Sequence, residues 1–294
     1  MLSARSLLRR KGLVPDMPQL SDIAANPRAH KTRTNVVVYG GPKSGKGQAV
    51  AALSAKFKLI WFDLENGWEI LLKLPPEQQA RIQLIKIPDT KGWPIAIETI
   101  MKVVTGGKFE ICHDHGKIAC AVCKKDNPAA FDTVELNACG PDTIVVIDTG
   151  SQLFESCLFH VTKGKPDDYK LMQDDWGNSG KLLSNVLSYI QQARFHCIMT
   201  AHELEVKMED DKVKLVPAIG TTNYSSRVAG RFSHVVHLET KNGEHIGQSG
   251  STASGRFLTG SRTDVAIEKQ GKNYSLMEIF TPYLEADAPL DVAK

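Results

Sequence analysis

The sequence predicts an α/β fold with a mostly parallel central sheet flanked by helices, and three observations carry that reading. Short apolar, β-branched runs alternate with helical patterns along the chain, as strands and helices do when the strands run parallel. A glycine-rich octet, Gly40 to Gly47, separates the first of these runs from the first helix. A later run, Thr143-Ile-Val-Val-Ile-Asp148, is apolar until it ends in acid. That is the pattern of a buried strand delivering one carboxylate to the carboxyl edge of a sheet, where ligands of open α/β sheets bind.

The first strand is Asn35-Val-Val-Val-Tyr39, and Gln48 to Ala55, rich in good helix formers, is the first helix. Between them stand Gly40, Gly41, Pro42, Lys43, Ser44, Gly45, Lys46 and Gly47. Strand, tight loop and helix in that order aim backbone N–H groups and the positive helix end at phosphates, and Lys46 reaches the outer ones. The octet is a phosphate-binding loop in every position but the last, where Ser or Thr normally supplies a hydroxyl to Mg²⁺. With Gly47 there, the metal loses one direct ligand. Mg²⁺ keeps several waters and relies on one or two carboxylates plus phosphates, so ATP binding should survive better than turnover.

Further along, Lys58 to Asp63 is an apolar strand continuing into Leu64-Glu65, so that an Asp-x-Glu stands at the carboxyl edge. Strand Arg81–Ile87 and a helix over Trp93–Val104 follow. Asp148 closes a Walker B-type strand and would hold Mg²⁺ directly or through water. Helices are expected over Ser151–His160 and Trp176–Arg194, with a polar loop between them. His196 to Ala201 is the next buried strand and ends in His202-Glu203. Beyond it come a hairpin over Val206–Val216 with an acidic turn, a helix over Asn223–Phe232 and a strand over Ser233–Glu239. Gly243–Gly255, rich in Gly and Ser, reads as a mobile loop, and Arg256–Thr259 as a last strand. The organisation is thus a basic arm (1–33), a core (34–284), an insert within it (107–141) and a flexible acidic tail (285–294).

At 294 residues the chain can bury one large α/β core, and 42% hydrophobic with 23% charged residues is ordinary for a globular protein. A net charge of +3 restricts any nucleic-acid binding to local patches, and no apolar run approaches membrane-spanning length. The start, Met1 to Lys11, is basic and lacks acids. A mitochondrial transit peptide has this composition, but so has a short amphipathic helix leading into the arm with Pro15, Pro18 and Pro27, and the second reading is preferred.

The six cysteines are unevenly spread, and Cys112, Cys120, Cys123 and Cys139 fall together. Cys112-His-Asp-His115-Gly-Lys-Ile-Ala-Cys120-Ala-Val-Cys123 offers three thiolates and one imidazole on two short turns. Cys112, His115, Cys120 and Cys123 form a tetrahedral Zn²⁺ set with no position left for water, so the site is expected to be structural. His113 could replace His115, and Cys139 could replace one of the other cysteines. The flanking Lys108, Lys117, Lys124 and Lys125 suit either a DNA- or partner-touching knob or a solvated face.

A phosphate loop, Asp-x-Glu after the next strand, an apolar-Asp-Thr segment and a strand ending in Thr-Ala-His-Glu together resemble the RecA-like P-loop ATPase core. In particular they look like the compact phage single-strand annealing and recombinase ATPases of that superfamily. The resemblance runs from about Thr34 to Lys269, with the cysteine-rich insert as an addition. It implies that Glu65 is the catalytic glutamate that polarises the attacking water, and that Asp148 is the magnesium aspartate. His202 then takes the sensor position reporting on the γ-phosphate. Arg262 lies near where the superfamily places a basic finger pointing into a neighbour's ATP. Lys46 on the outer phosphates, a metal on Asp148, a carboxylate on the water and a cation in trans suffice for phosphoryl transfer.

The same resemblance places two DNA-facing loops at His160–Asp175, with Lys163, Lys165, Tyr169 and Lys170, and at Glu203–Tyr224, with Lys207, Lys212, Lys214 and Tyr224. Lysines with interleaved tyrosines suit a single strand, charge following phosphates and rings stacking on bases. The expected activity is a DNA-dependent ATPase acting on single-stranded DNA in recombination or annealing. The alternative is a nucleotide-gated binding or assembly module with little hydrolysis. A replicative helicase-like motor is disfavoured by length. Expected cofactors are ATP, Mg²⁺ and Zn²⁺. Expected partners are single-stranded DNA, further copies of the chain in a ring or filament, and a single-strand binding protein, in the cytoplasm of a bacterial host if the chain is phage-encoded.

Overall fold

The computed structural model describes residues 33–126, 130–207, 212–250, 255–262, 271–272 and 274–286. The arm before residue 33, the acidic turn 208–211 and the tail after residue 286 lie outside the described residues, as do positions 251–254 of the expected mobile loop.

The elements follow the chain in this order: β1 (Asn35–Tyr39), α1 (Lys46–Ala51), β2 (Lys58–Asp63), α2 (Pro76–Gln79), β3 (Ile82–Lys86), α3 (Ile95–Val103), β4 (Lys108–Cys112), α4 (Ala121–Asp126), β5 (Phe131–Glu135), β6 (Thr143–Asp148) and α5 (Gly150–Val161). Then come α6 (Gln173–Gln192), β7 (His196–Ala201), β8 (Glu203–Lys207), β9 (Val213–Pro217), α7 (Thr222–Val228), β10 (His234–Lys241), β11 (Glu244–Gln248), β12 (Gly260–Ser261), β13 (Gly271–Lys272) and α8 (Met277–Ala286). The main sheet runs β13-β11-β10-β1-β7-β6-β2-β3, with β12 on β10. Strands β10 through β3 of this order are parallel, and β11, β12 and β13 add antiparallel edges.

The continuous apolar runs explain the sandwich, because alternate side chains of one strand enter two core layers. Val37, Tyr39, Phe62, Ile147 and Met199 pack with α3, α5 and α6 on one face. Val36, Val38, Trp61, Val146 and Ile198 pack with α1 and α8 on the other. The register sets Asp63 opposite Asp148 and Tyr39 opposite Ala201, which brings the ends of β1, β2, β6 and β7 to one edge. No helix among the described residues is long and apolar enough to cross a membrane.

Three expectations need correction. Within Gly243–Gly255, residues 244–248 form β11 rather than a mobile loop. Gly247 lets the Tyr274 ring lie against the strand, at a place where a Cβ would come within 2.3 Å of that ring. Arg256–Thr259 is not a strand: Phe257 makes one isolated bridge to Leu215, and the pairing with β10 falls on Gly260–Ser261. Helix α8 was not foreseen. It carries Pro282 in its interior and is held by burial of Leu276, Ile279, Phe280 and Tyr283, so packing overrides the cost of the proline.

His196, at the opposite edge from the phosphate loop, provides a stability test. Its ring is fully buried, edge-on to Phe280 and Tyr283, and its Nδ1 accepts from the Thr34 amide at 3.2 Å. Burial, reinforced by Arg33, pushes its pKa from 6.5 down to about 3. The folded value lies below the unfolded one, so this stabilisation is complete above pH 6.5 and is lost as pH falls towards 3, by about 1.4 kcal/mol per unit. Urea midpoints should therefore drop between pH 6.5 and 4.5, and His196→Leu should flatten that slope; an equally steep variant would count against it.

Candidate nucleotide site and metal cluster

The phosphate loop leaves β1 and turns into α1 through Gly45, whose φ of 89° lies in the left-handed region. Gly40 is required for a different reason: a Cβ there would come within 2.0 Å of the Leu238 carbonyl oxygen. Lys46 opens α1 and is buried, its Nζ donating to the carbonyl oxygens of Gly40 and Gly41 at 2.9 Å each. Burial lowers its pKa, and Asp148, Glu65 and Glu203 pull the other way by charge. Gln48 is exposed on α1. The loop thus places the Lys46 ammonium and the start of α1 beside the end of β1.

Asp148 ends β6, with its carboxylate accepting from the Thr200 hydroxyl of β7. Burial pushes its pKa up to about 6 against that hydrogen bond, and the charges of Asp63 and Glu65 add to the rise. Glu65 follows β2. Its Oε1 accepts from the Thr149 hydroxyl at 2.7 Å and lies 3.0 Å from His202 Nε2. Burial pushes the Glu65 carboxyl up, but the hydrogen bonds from His202 and Thr149 outweigh it and hold the group below its ordinary range. Glu65 is therefore a fixed, ionised carboxylate.

His202 stands between β7 and β8, where its amide donates to Ser151 Oγ at 3.0 Å and that hydroxyl donates to the Ala218 carbonyl at 2.8 Å. Lys46, Glu65, Asp148 and His202 therefore meet at one sheet edge. Arg262 does not. It follows β12 at the amino end of β10, its amide bonds the Ser233 carbonyl at 2.9 Å, and its guanidinium donates to the Gly230 carbonyl. It belongs to the edge opposite this chain's own phosphate loop, because β12 pairs with the start of β10 rather than with its end.

Sequence reasoning missed Thr149, Thr200 and Glu203 as site residues. All three adjoin residues that it named, and only the register shows what they touch. Glu203 lies against the loop, since a Cβ on Gly41 would sit 3.2 Å from its Oε1, and its Oε2 is 3.0 Å from His237 Nε2. Two clefts open near this sheet edge, the second of them beside the loop. One, of about 870 Å³, is lined by Asp63, Glu65, Asp89, His113, Asp114 and Gln152. The other, of about 340 Å³, lies between α1 and β11 and is lined by Gly45, Gln48, Ala52, His245 and Tyr274.

The insert is an antiparallel β4–β5 hairpin carrying a short turn and α4. His115 Nδ1 lies 3.1 Å from Cys123 Sγ, 3.8 Å from Cys120 Sγ and 4.0 Å from Cys112 Sγ, and all four ligand atoms fall within 4.8 Å of one another. Tetrahedral zinc, with Zn–S of about 2.3 Å and Zn–N of about 2.0 Å, places neighbouring ligand atoms roughly 3.5–3.8 Å apart, so the donor set fits. The open alternatives close here. His113 turns to Asp132 at 3.2 Å, and Cys139 donates to the Glu135 carbonyl at 3.8 Å, away from the cluster. The backbone amide of Cys123 holds Cys120 below the usual thiol range.

The family described as AAA domain matches residues 32–265. The chain belongs to that family. The fold of this AAA domain, a mostly parallel sheet with a phosphate loop after β1, is that of a P-loop ATPase. Among solved structures it is similar to a prototypical ATPase from the type III secretion system of pathogenic bacteria. That likeness has 13% identity and a TM-score of 0.41, over 70% of this chain and 52% of that one. This AAA domain thus spans about half of that structure's length. No curated protein matches the chain.

Proposed function

We propose that this AAA domain binds ATP with Mg²⁺ and hydrolyses it as a DNA-dependent ATPase acting on single-stranded DNA in recombination or strand annealing. The observation that carries the ATPase reading is Glu65, ionised and held by Thr149 and His202 at the same sheet edge as Lys46 and Asp148. Lys46 exchanges the loop carbonyls for outer phosphate oxygens. Asp148 is the carboxylate that would hold Mg²⁺, which supplies charge neutralisation at the transferred phosphoryl. Glu65 orients and polarises the attacking water.

His202 touches Glu65 and, through Ser151, the end of the β8–β9 hairpin. A change at the γ-phosphate therefore has a short route to that hairpin, the second of the loops read as DNA-facing. In the first loop Lys165 lies over the Tyr169 ring, and Leu171, Met172 and Trp176 are exposed beside it. Tyr224 packs against the main core layer and over Gly220, so it is not a stacking platform. Assembly into a ring or filament, contact with a single-strand binding protein and a cytoplasmic location complete the reading. Zn²⁺ on Cys112, His115, Cys120 and Cys123 serves as a structural tie in the insert.

ATP turnover with and without single-stranded DNA tests the reading. Stimulation by DNA is expected, together with DNA binding that weakens steeply as salt rises. Tight nucleotide binding without turnover under either condition would establish instead the module with little hydrolysis, which Gly47 favours. Gly47→Thr should raise turnover several-fold. A Cβ there meets only Ile70 methyl carbons at 3.6 and 3.7 Å, so the side chain has room. Unchanged turnover in a variant that still binds ATP would sink the metal argument.

A further inference from the structure

Gly47 removes an oxygen from the metal's usual surroundings, and the same sheet edge holds a carboxylate oxygen that has no hydrogen-bond partner among the described residues. Asp63 ends β2 and is 1% exposed. Its Oδ1 accepts from the amides of Glu65 and Gly67 at 3.3 and 3.1 Å. Its Oδ2 is buried and makes no hydrogen bond among the described residues, although the Trp68 and Asn66 amides also act on the carboxylate. An unsatisfied oxygen of this kind costs free energy, and a carboxylate more than a neutral group, so its retention calls for a partner.

The register shows where that partner would lie. Asp63 is directly opposite Asp148, and Thr200 flanks Asp148 on β7. All three share the parity of Trp61, Val146 and Ile198, whose side chains enter the core layer under α1. They therefore project towards the face from which Lys46 and Gly47 approach. The Thr200 hydroxyl is already engaged by Asp148. Asp63 also borders the 870 Å³ cleft shared with Glu65.

We propose that Asp63 is a second Mg²⁺-binding carboxylate that, with Asp148, supplies the oxygen which the glycine at position 47 withholds. The inference rests on the reading of the site as a Mg²⁺-nucleotide site and adds a residue to it. Mg²⁺ accepts two protein carboxylates alongside phosphate and water oxygens. A loop without its hydroxyl and a strand end with a spare carboxylate oxygen are complementary departures from the usual pattern.

The test measures ATPγS binding by calorimetry across a Mg²⁺ series, with an EDTA arm. Asp63→Asn keeps an Oδ1 acceptor for the Glu65 and Gly67 amides. It should raise the Mg²⁺ concentration needed for half-maximal tightening by about tenfold or more, and leave the EDTA affinity unchanged. Gly47→Thr should restore most of that loss in the Asp63→Asn background, and should add less where Asp63 is intact, a non-additivity expected only if the two oxygens serve one ion. Asp63→Ser, which also keeps an acceptor, is read in the same way should the first variant not fold. An unchanged Mg²⁺ requirement, or an equal loss in EDTA, overturns the inference and leaves Asp63 as a turn cap. Wild-type ATPγS binding that ignores Mg²⁺ overturns the inference alone, whereas wild-type protein that binds no ATPγS overturns the nucleotide-site reading on which it rests.

Discussion

Glu65→Gln should lower ATP turnover by about 10²- to 10⁴-fold, the range a positioned acid–base group contributes, while MgATP binding stays within a few-fold of wild type. The asymmetry follows from the geometry. Thr149 and His202 hold the carboxylate in place before any nucleotide arrives, whereas Lys46 and the loop amides carry the phosphates. Gln keeps an oxygen to accept from Thr149 and most of the volume, but it loses the charge that polarises water. Phosphate release and calorimetric ATPγS binding, measured on the same preparation, check both halves. Turnover within threefold of wild type would remove Glu65 from the chemistry. His202→Asn should give a smaller loss, because it frees Glu65 on one side only, and it should blunt any DNA stimulation if His202 links the site to the hairpin.

Removing the metal ligands should have the largest effect on stability. Purified protein is expected to carry one zinc per chain, and Cys123→Ser or chelation should release it. Structural zinc in small domains is worth about 10–16 kcal/mol of apparent binding energy at neutral pH. The insert has little core of its own: among the described residues Cys112, Cys120 and Cys123 form a separate small cluster joined by Phe131. Its remaining anchors are on the main body, where Ile111 and Val134 enter the principal core layer and Thr99 donates to the Gly116 carbonyl. Even a net loss of about 4 kcal/mol would lower Tm by roughly 10 °C. Substoichiometric zinc in folded wild-type protein, or a Cys123→Ser variant melting with wild type, would dismiss the site. His113→Ala should retain the metal, since His113 faces Asp132 instead.

The strands that carry the site were legible because each is a short apolar run ending in a polar residue, and burial on both faces admits few other readings. The phosphate loop and the cysteine cluster were legible because their ligands are close in sequence, so spacing alone restricts the geometry. The α8 helix and β11 were not. Both depend on Tyr274 and the residues after it packing back onto β10, β11 and α1, and local propensity at Pro282 and around Gly247 argues against them. The position of Arg262 is likewise set by the pairing of Ser261 with His234, which no local pattern reports.

By itself the sequence determined the class of fold and the phosphate loop with its missing hydroxyl, and it led to the expectation of a magnesium role for Asp148 and of a zinc set in which His113 or His115, and Cys139, stayed open. Only the tertiary structure set His115 rather than His113 beside the three cysteines, brought Glu65 to Thr149 and His202 from 84 and 137 residues away, and left Asp63 Oδ2 without a hydrogen-bond partner among the described residues. Residues joined by one turn inherit their geometry from the local backbone. Those joined across a sheet inherit it from strand order and register, which the packing of the two core layers sets.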